Sequence, residues 1–157
     1  MTYRIAGLDP APFDALFAAD EEERTAQLAR LVTATSDRGF PCRVSLEDAR
    51  VGEEVMLLHH TSHDVAGPFR MAHAIYVRRD ANRPAAMIDR LPPMLDSRTI
   101  GLRAFDDAGM LRKAVLAAPG EGDDAIRGLF EDGSIAYIHA HNAAYGCFLA
   151  AVERYDD

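Results

Sequence analysis

The sequence predicts an α+β protein built around a mostly antiparallel sheet of about seven strands, with three or four short helices. The chain has 157 residues, of which 48% are hydrophobic and 27% are charged. That size and composition are typical of one ordinary globular domain, which we expect to span residues 1–157. Short alternating segments outnumber helical ones, and several are joined by short loops that contain glycine. Such hairpins favour an antiparallel sheet over a doubly wound parallel one.

The N-terminal segment predicts one strand and two helices. Tyr3 to Leu8 reads as the first strand, and the proline that follows Asp9 opens a short helix over residues 10–17. Asp20 then caps a second helix, whose acidic first turn suits the positive end of the helix dipole. The β-branched segment 31–35 fits either a strand or the end of that helix, and the pattern leaves both open.

Turn residues dominate the next segment. Gly-Phe-Pro at 39–41 predicts a turn, because the residue before a proline is pushed out of the α region. A short extended piece follows at 42–46. Ser-Leu-Glu-Asp at 45–48 has the form of a capping box and predicts one helical turn, which Gly52 ends.

Two strands flank a polar loop in the middle of the chain. They are predicted at 54–60 and 71–79, with the loop at 61–68. In the second strand His73 shares a face with the aliphatic residues that follow at alternate positions. The stretch 80–93 holds three prolines and has little periodicity, so we expect a surface excursion there.

The last third of the chain predicts two hairpins separated by a helix. The first hairpin pairs 100–105 with 110–116 through a turn that contains glycine. The helix starts at Asp123 or Asp124 and runs to about residue 131. The second hairpin pairs 135–142 with 147–154, and because it carries apolar residues on both faces, we expect it at the centre of the sheet.

Charge and motif content exclude several function classes. The net charge of -8, from 25 acidic and 17 basic side chains, opposes binding to nucleic acid or to an anionic membrane. No signal peptide or membrane span is recognisable, so we expect a cytoplasmic protein in which Cys42 and Cys147 are reduced. The motifs of phosphate loops, dinucleotide-binding folds, thioredoxins, zinc proteases and serine hydrolases are missing. No cofactor is therefore implied.

Unusual chemistry is concentrated in the C-terminal hairpin. His139 and His141 are two residues apart on a predicted strand, so they project from the same face. They would bind a metal only with a third ligand, for which Cys147, His73 or an acidic side chain is a candidate. Two histidines without a fixed third ligand are a weak metal signal, so we expect no metal. The alternative is that both histidines are structural, with half-buried side chains that form hydrogen bonds to the backbone or to water.

The loop geometry decides whether Cys147 joins the two histidines. A three-residue loop that ends on a left-handed Gly146 places Ala143 opposite Cys147 and the thiol on the face of His141. A four-residue loop pairs Asn142 with Cys147 instead and turns the thiol away. Glycine at that position favours the first geometry.

Two arginines are candidates for holding an anion. Arg43 lies beside Cys42, and a guanidinium both activates a nearby thiol and grips carboxylates or phosphates in a forked geometry. Neighbours on a strand point to opposite faces, however, which weakens that pairing. Arg103 fits a ligand contact or a salt bridge at a strand end. The histidine-rich segment 59–63 is typical of adventitious metal binding.

Four segments of the chain resemble a known family. They are Phe40-Pro41-Cys42-Arg43-Val44-Ser45-Leu46, His73-Ala74-Ile75-Tyr76-Val77-Arg78, Leu102-Arg103-Ala104-Phe105-Asp106 with Gly109-Met110, and Tyr137-Ile138-His139-Ala140-His141-Asn142 with Gly146-Cys147. In that order they are similar to the bacterial domain-of-unknown-function family 1203. The resemblance implies one compact bacterial domain and supplies no catalytic residue.

Two functional hypotheses follow from the residues, and neither identifies a reaction. The first is a small-molecule site, catalytic or sensory, that takes an anionic ligand. Its residues are His73, His139, His141 and Cys147, with Arg43 or Arg103 supplying positive charge. The second is a non-catalytic interaction module that forms a homo-oligomer, whose contact surface would include Phe69, Met71 and Tyr145 as exposed side chains.

Overall fold

The computed structural model describes residues 1–156, within which the chain forms nine strands and four helices. The strands are β1 (Thr2–Ala6), β2 (Ala29–Thr33), β3 (Glu54–His63), β4 (Met71–Arg78), β5 (Ala86–Ile88), β6 (Ile100–Phe105), β7 (Leu111–Ala117), β8 (Tyr137–Asn142) and β9 (Phe148–Tyr155). The helices are α1 (Ala11–Ala18), α2 (Glu21–Ala26), α3 (Pro93–Asp96) and α4 (Gly122–Phe130). The α+β class is confirmed. The strands exceed the predicted seven, and they form two sheets rather than one.

The larger sheet has six strands in the order β5-β1-β9-β8-β6-β7, and all its pairings are antiparallel. The C-terminal hairpin β8–β9 therefore lies at the centre of this sheet, as predicted. One face packs against α3 and α4. The apolar side chains in this layer include Met94, Leu95, Ile100, Leu102, Ile126, Leu129, Phe130, Ile138 and Val152.

The smaller sheet has three antiparallel strands in the order β2-β3-β4. The buried side chains of α1, Phe13 and Leu16, belong to the same apolar cluster as residues of β3 and β4, including Met56 and Ile75. Further along the same face, rings of the smaller sheet contact rings of the larger sheet's second face. The two sheets thus meet through a layer of histidine and aromatic side chains. No helix within the described residues is long and apolar enough to cross a membrane.

Several segments differ from the predicted elements. Residues 31–33 of the undecided segment 31–35 belong to β2, which Leu28, with a φ of 55°, separates from α2. Asp20 and Glu23 form the capping box of α2. The predicted loop at 61–68 begins later, because β3 continues through His63 to pair with β4.

Two corrections concern segments in which tertiary contacts decide the conformation. No helical turn follows residues 45–48, since the backbone of Leu46 is left-handed with a φ of 54° and its side chain is buried in the core. The stretch 80–93 is not wholly irregular, because β5 within it pairs with β1 and α3 starts at its end. Both elements are three or four residues long, too short for a periodic pattern to reveal.

The segment 42–46 forms a turn rather than the extended piece that its sequence predicts, because Leu46 donates its N–H to the carbonyl of Cys42 at 3.0 Å. A close approach at Gly7 holds this turn in place. A Cβ atom on Gly7 would lie 1.9 Å from the carbonyl oxygen of Val44. The next residue, Leu8, donates its backbone N–H to the carbonyl of Arg43 at 2.7 Å. On the other side, Arg43 donates its own N–H to the carbonyl of Tyr76 on β4 at 3.0 Å. The backbone of Arg43 is therefore fixed from both sides.

Candidate functional site

An open cleft of about 1070 Å³ lies between the smaller sheet, the segment at 38–43 and the loop that joins β8 to β9. Its walls are formed by Arg38, Gly39, Pro41, Arg43, Leu57, His73, Ala74, Tyr76, Arg98, Thr99, Asn142, Ala143, Ala144, Tyr145 and Cys147. Three of the six site residues predicted from the sequence, Arg43, His73 and Cys147, meet in this cleft. They come from three separate parts of the chain, so only the fold brings them together.

Arg43 is the most unusual side chain of the cleft, because it is charged and only 1% exposed. Its Nε donates to the carbonyl of Phe148 at 2.7 Å, its Nη1 to the carbonyl of Pro41 at 2.5 Å, and its Nη2 to Cys147 Sγ at 3.1 Å. No ion pair joins it to a carboxylate among the described residues. Burial lowers the pKa of Arg43, and the neighbouring Cys147 opposes that shift. A guanidinium still remains protonated in proteins.

Two further arginines line the cleft, and the charge of one of them, Arg98, is balanced by Asp48. Arg38 is exposed and donates to the carbonyl of Ser97. Arg98 forms a forked pair with Asp48, in which Nη1 lies 2.9 Å from Oδ2. Within the part of the chain that the structure describes, no Asp or Glu lines the cleft. The chain as a whole carries a charge of -8, so this concave surface has the opposite sign to the rest of the molecule.

The β8–β9 loop combines features of both predicted alternatives. Asn142 donates its N–H to the carbonyl of Cys147 at 2.9 Å, as the four-residue loop requires. Gly146 has a φ of 76°, as the three-residue loop requires, and donates to the carbonyl of Asn142 at 2.8 Å. This is a bulge with a left-handed glycine, in which two residues oppose one. Phe148, rather than Cys147, lies opposite His141.

Four histidines lie in the layer between the two sheets, beside aromatic rings. His63 and His73 of the smaller sheet contact His139 and His141 of the larger one, with ring centroids 5.1 Å and 5.2 Å apart respectively. His139 is 7% exposed and His141 1% exposed. These two predicted site residues therefore lie in the packed layer behind the cleft.

Hydrogen bonds satisfy only some of the ring nitrogens. His63 donates from Nδ1 to the carbonyl of Phe69 and accepts at Nε2 from the Tyr137 hydroxyl, both at 2.7 Å. His141 donates from Nδ1 to the carbonyl of Gly146 at 2.9 Å. Among the described residues, His139 Nδ1 and His141 Nε2 are buried without a partner.

Burial also fixes the charge state of this layer. Loss of solvation lowers the pKa of His139 to about 3, and the nearby His63, His141 and Arg103 add to the shift. The same loss of solvation lowers the pKa of His141 to about 4. Both rings are therefore neutral at neutral pH. No group of three or more His, Cys, Asp or Glu side chains in residues 1–156 is arranged to hold a metal, so neither ring has a third ligand there.

Arg103 lies away from the main cleft. It is opposite His139 in the β6–β8 pairing and donates from Nη1 to Met71 Sδ at 3.0 Å. Together with His141 it borders a smaller cavity of about 270 Å³ on the other side of the β8–β9 loop. The six predicted residues are thus divided among three places. Arg43, His73 and Cys147 line the main cleft. Arg103 and His141 border the smaller cavity, and His139 is buried between the sheets.

The two cysteines are unbridged, as predicted, and have different surroundings. Cys42 is fully buried, and its sulfur accepts backbone N–H groups from Arg78 at 3.3 Å and Ser45 at 3.5 Å. The guanidinium of Arg43 does not bond to this neighbouring thiol. It donates to Cys147, which is 104 residues away in sequence.

The three residues named as markers of an interaction module differ in exposure. Of its three marker residues, only Tyr145 is strongly exposed, at 86%. Phe69 and Met71 are half-buried, because Phe69 packs on Phe105 and Met71 lies beneath Arg103.

Sequence reasoning missed three residues of this region. Arg38 and Arg98 lie in irregular segments and line the cleft, and no local pattern marks such residues. His63 was assigned to a loop, but it is 3% exposed in the histidine layer. The concentration of histidines at 59–63 is the sequence signal for this position. Its meaning depends on β3 extending as far as His63, which places the ring between the sheets.

Comparisons with known proteins give one match. No curated protein and no solved structure matches the chain. A family model described as "Protein of unknown function (DUF1203)" matches residues 39–154. The matched region includes Arg43 and Cys147, whereas Arg38 lies just outside it. The chain therefore belongs to the DUF1203 family of proteins of unknown function.

Proposed function

We propose that the chain binds a small organic anion, a carboxylate or a phosphate ester, in the cleft around Arg43. The observation that carries this proposal is the buried guanidinium of Arg43, which has no carboxylate partner among the described residues. Burying a charge without a counter-charge costs several kcal/mol, so such a group is expected where a ligand supplies the opposite charge.

The donor count supports the same conclusion. A guanidinium has five N–H groups, and three of them donate to the carbonyls of Phe148 and Pro41 and to Cys147. The remaining N–H groups have no partner among the described residues, which leaves donors for a ligand oxygen. Because the carbonyls hold the guanidinium plane in place, an arriving anion meets a preorganised fork.

The other walls favour an organic anion over a bare inorganic one. Arg38 adds positive charge at the same cleft, while Leu57, Tyr76 and the alanines of the β8–β9 loop add apolar surface. A ligand with a charged group and a short carbon skeleton would contact both kinds of wall. The polar side chains of Thr99 and Asn142 would orient it.

Thermal unfolding in the presence of anions tests this proposal. Sodium phosphate, glycerol phosphate and succinate are each titrated against sodium chloride at matched ionic strength. At least one of the three should raise the melting temperature with a saturating dependence on concentration, because a ligand that binds only the folded state stabilises it. A larger response to glycerol phosphate than to phosphate would support the organic anion.

A matched pair of arginine variants locates the site. Arg38→Gln removes an exposed charge from the cleft, and Arg30→Gln removes an exposed charge from β2. We expect Arg38→Gln to weaken the anion response and Arg30→Gln to leave it unchanged. Equal responses in the two variants, or no response to any anion in the wild type, would contradict the proposal.

A further inference from the structure

We infer that Cys147 is a nucleophile directed at anionic electrophiles: small carboxylates with an electrophilic carbon bind in the cleft and are attacked by its sulfur. This inference rests on the anion site proposed above and adds a reaction to it. It starts from the contact between Cys147 Sγ and Arg43 Nη2 at 3.1 Å, and from the position of both side chains on the cleft wall.

The environment of Cys147 is that of a reactive thiol. Cys147 Sγ accepts a hydrogen bond from the Arg43 guanidinium on the wall of an open cleft, where a small electrophile can reach it. Arg43 cannot turn away from the sulfur, since carbonyls hold its Nε and Nη1. Cys147 is also partly exposed, unlike Cys42. The two cysteines of the chain therefore have different roles in this inference: Cys147 is the reactive thiol, and the buried Cys42 is structural.

The buried charge of Arg43 provides an independent pointer to a ligand. If Arg43 served only to hold the sulfur, a neutral donor would suffice, and the cost of burying a cation would have no compensation. A cation at this place can also attract the carboxylate of a substrate whose electrophilic carbon lies beside the sulfur. Arg38, which is exposed, extends the positive surface toward the solvent. One cleft thus combines capture of the anion with a nucleophile.

Iodoacetate serves as the probe of this chemistry, because it joins a carboxylate to an electrophilic carbon. The thiol proton passes to solvent, and the sulfur then attacks the methylene carbon. An S–C bond forms while the C–I bond breaks, and iodide leaves with the bonding electron pair. The product is a carboxymethylated cysteine, and no oxidant or reductant is consumed. Iodoacetamide reacts at the same carbon and lacks the charge, so it is the matched neutral probe.

The experiment measures the labelling rates of both probes under native conditions, with mass spectrometry to assign the labelled cysteine and glutathione as the reference thiol. We expect Cys147 to be labelled and Cys42 to be protected. We further expect the ratio of the iodoacetate rate to the iodoacetamide rate to exceed the glutathione ratio by about tenfold, the lower end of what electrostatic attraction of a charged substrate supplies. Arg38→Gln should lower this ratio, and Arg30→Gln should not.

Three results would overturn the inference. They are a ratio equal to that of glutathione, equal ratios in the two arginine variants, and labelling of Cys42 in preference to Cys147. The thermal response of the wild-type protein to anions distinguishes this failure from failure of the anion site, because that response does not depend on labelling. If anions stabilise the protein and the ratio stays at that of glutathione, the anion site stands and the nucleophile is excluded. If no anion stabilises the protein and the ratio is that of glutathione, both proposals fail.

Discussion

At the scale of single residues, Arg43 differs from the other buried groups because its partners do not balance its charge. Two backbone carbonyls and one sulfur accept its hydrogen bonds. These partners position a guanidinium well, but a carbonyl dipole neutralises much less charge than a carboxylate. The protein therefore holds an oriented positive charge at the wall of a cleft.

Arg43→Lys should keep the positive charge at this position but remove the forked set of N–H donors of the guanidinium. A single ammonium group cannot reach the Phe148 carbonyl, the Pro41 carbonyl and the Cys147 sulfur together, so we expect a loss of about 1–3 kcal/mol in the free energy of unfolding. The anion response should also weaken. Arg154→Lys is the control, because Arg154 likewise donates to backbone carbonyls but lies away from the cleft. It should cost stability without affecting the anion response, and a similar loss of response in both variants would count against the assigned role.

The buried histidines predict an acid-sensitive fold. Their pKa values, about 3 for His139 and about 4 for His141, lie below the ordinary value near 6.5. Below that ordinary value the unfolded chain binds more protons than the folded chain, so stability is complete above about pH 6.5 and is lost as the pH falls toward 3. Each pKa unit corresponds to about 1.4 kcal/mol. Urea unfolding at pH 7.5 and pH 5 should show a clearly lower free energy at pH 5.

His139→Phe tests whether the layer causes this pH dependence. The new ring fits between the rings of Phe105 and Phe148 and cannot take up a proton. The loss of stability between pH 7.5 and pH 5 should therefore shrink. The exposed His59 provides the control, since His59→Gln should leave the loss unchanged. An undiminished loss in the phenylalanine variant would assign the acid sensitivity to other groups.

The candidate site was only partly predictable from sequence, because some of its side chains meet although they are distant in sequence. The alternation of β8 places His139 and His141 on one face whatever the rest of the fold does, so local periodicity suffices for that pair. The contact between Arg43 and Cys147 joins residues 104 positions apart and depends on a bulge at Gly146. One inserted residue changes which side chains share a face, and sequence alone left that loop geometry open.

At the scale of elements, the turn at 42–46 links the two sheets. Cys42 pairs with Tyr76 of β4 in a parallel bridge, and the carbonyl of Val44 accepts the N–H of Ala85. On its other side the segment meets Gly7, just after β1. The position of the Arg43 backbone therefore depends on how closely these pieces of chain approach one another.

Gly7→Ala should disturb that approach. The new methyl group would lie 1.9 Å from the Val44 carbonyl oxygen, so the backbone must shift, and we expect a loss of about 1–3 kcal/mol in unfolding free energy. Anion binding should weaken as well, because Arg43 moves with the segment. Gly128→Ala makes the same chemical change in α4, at a glycine with open space around it. There alanine should stabilise by about 0.5–1 kcal/mol. Thermal unfolding of the two variants gives the comparison, and equal effects would refute the steric explanation.

The elements that sequence predicted well are those with several turns or alternations. β6, β7, β8 and β9 appear where their periodic patterns placed them, and the capping residue Asp20 marks the start of α2. The predicted turn at 45–48 failed because a capping pattern is a weak local preference, and burial of Leu46 outweighs it.

At the scale of the whole molecule, we expect stability to be greatest in the central hairpin. β8 and β9 have neighbours on both sides, whereas β2 lies at the edge of the smaller sheet. The amides of Ile138 and Ala140 should therefore be among the slowest to exchange with deuterium, and those of β2 much faster. Fast exchange at both central residues would contradict this ranking, and hydrogen exchange read by NMR provides the measurement.

The position of β9 has a consequence for how the protein is made. β1 is near the start of the chain, yet one of its two partners is β9, which is synthesised about 150 residues later. β6 likewise acquires its central partner only when β8 emerges. During translation the strands made first wait with unpaired edges and an uncovered apolar face, which invites association between nascent chains. Closure of such distant pairs is also slow, so folding is expected to follow the release of the last strand from the ribosome.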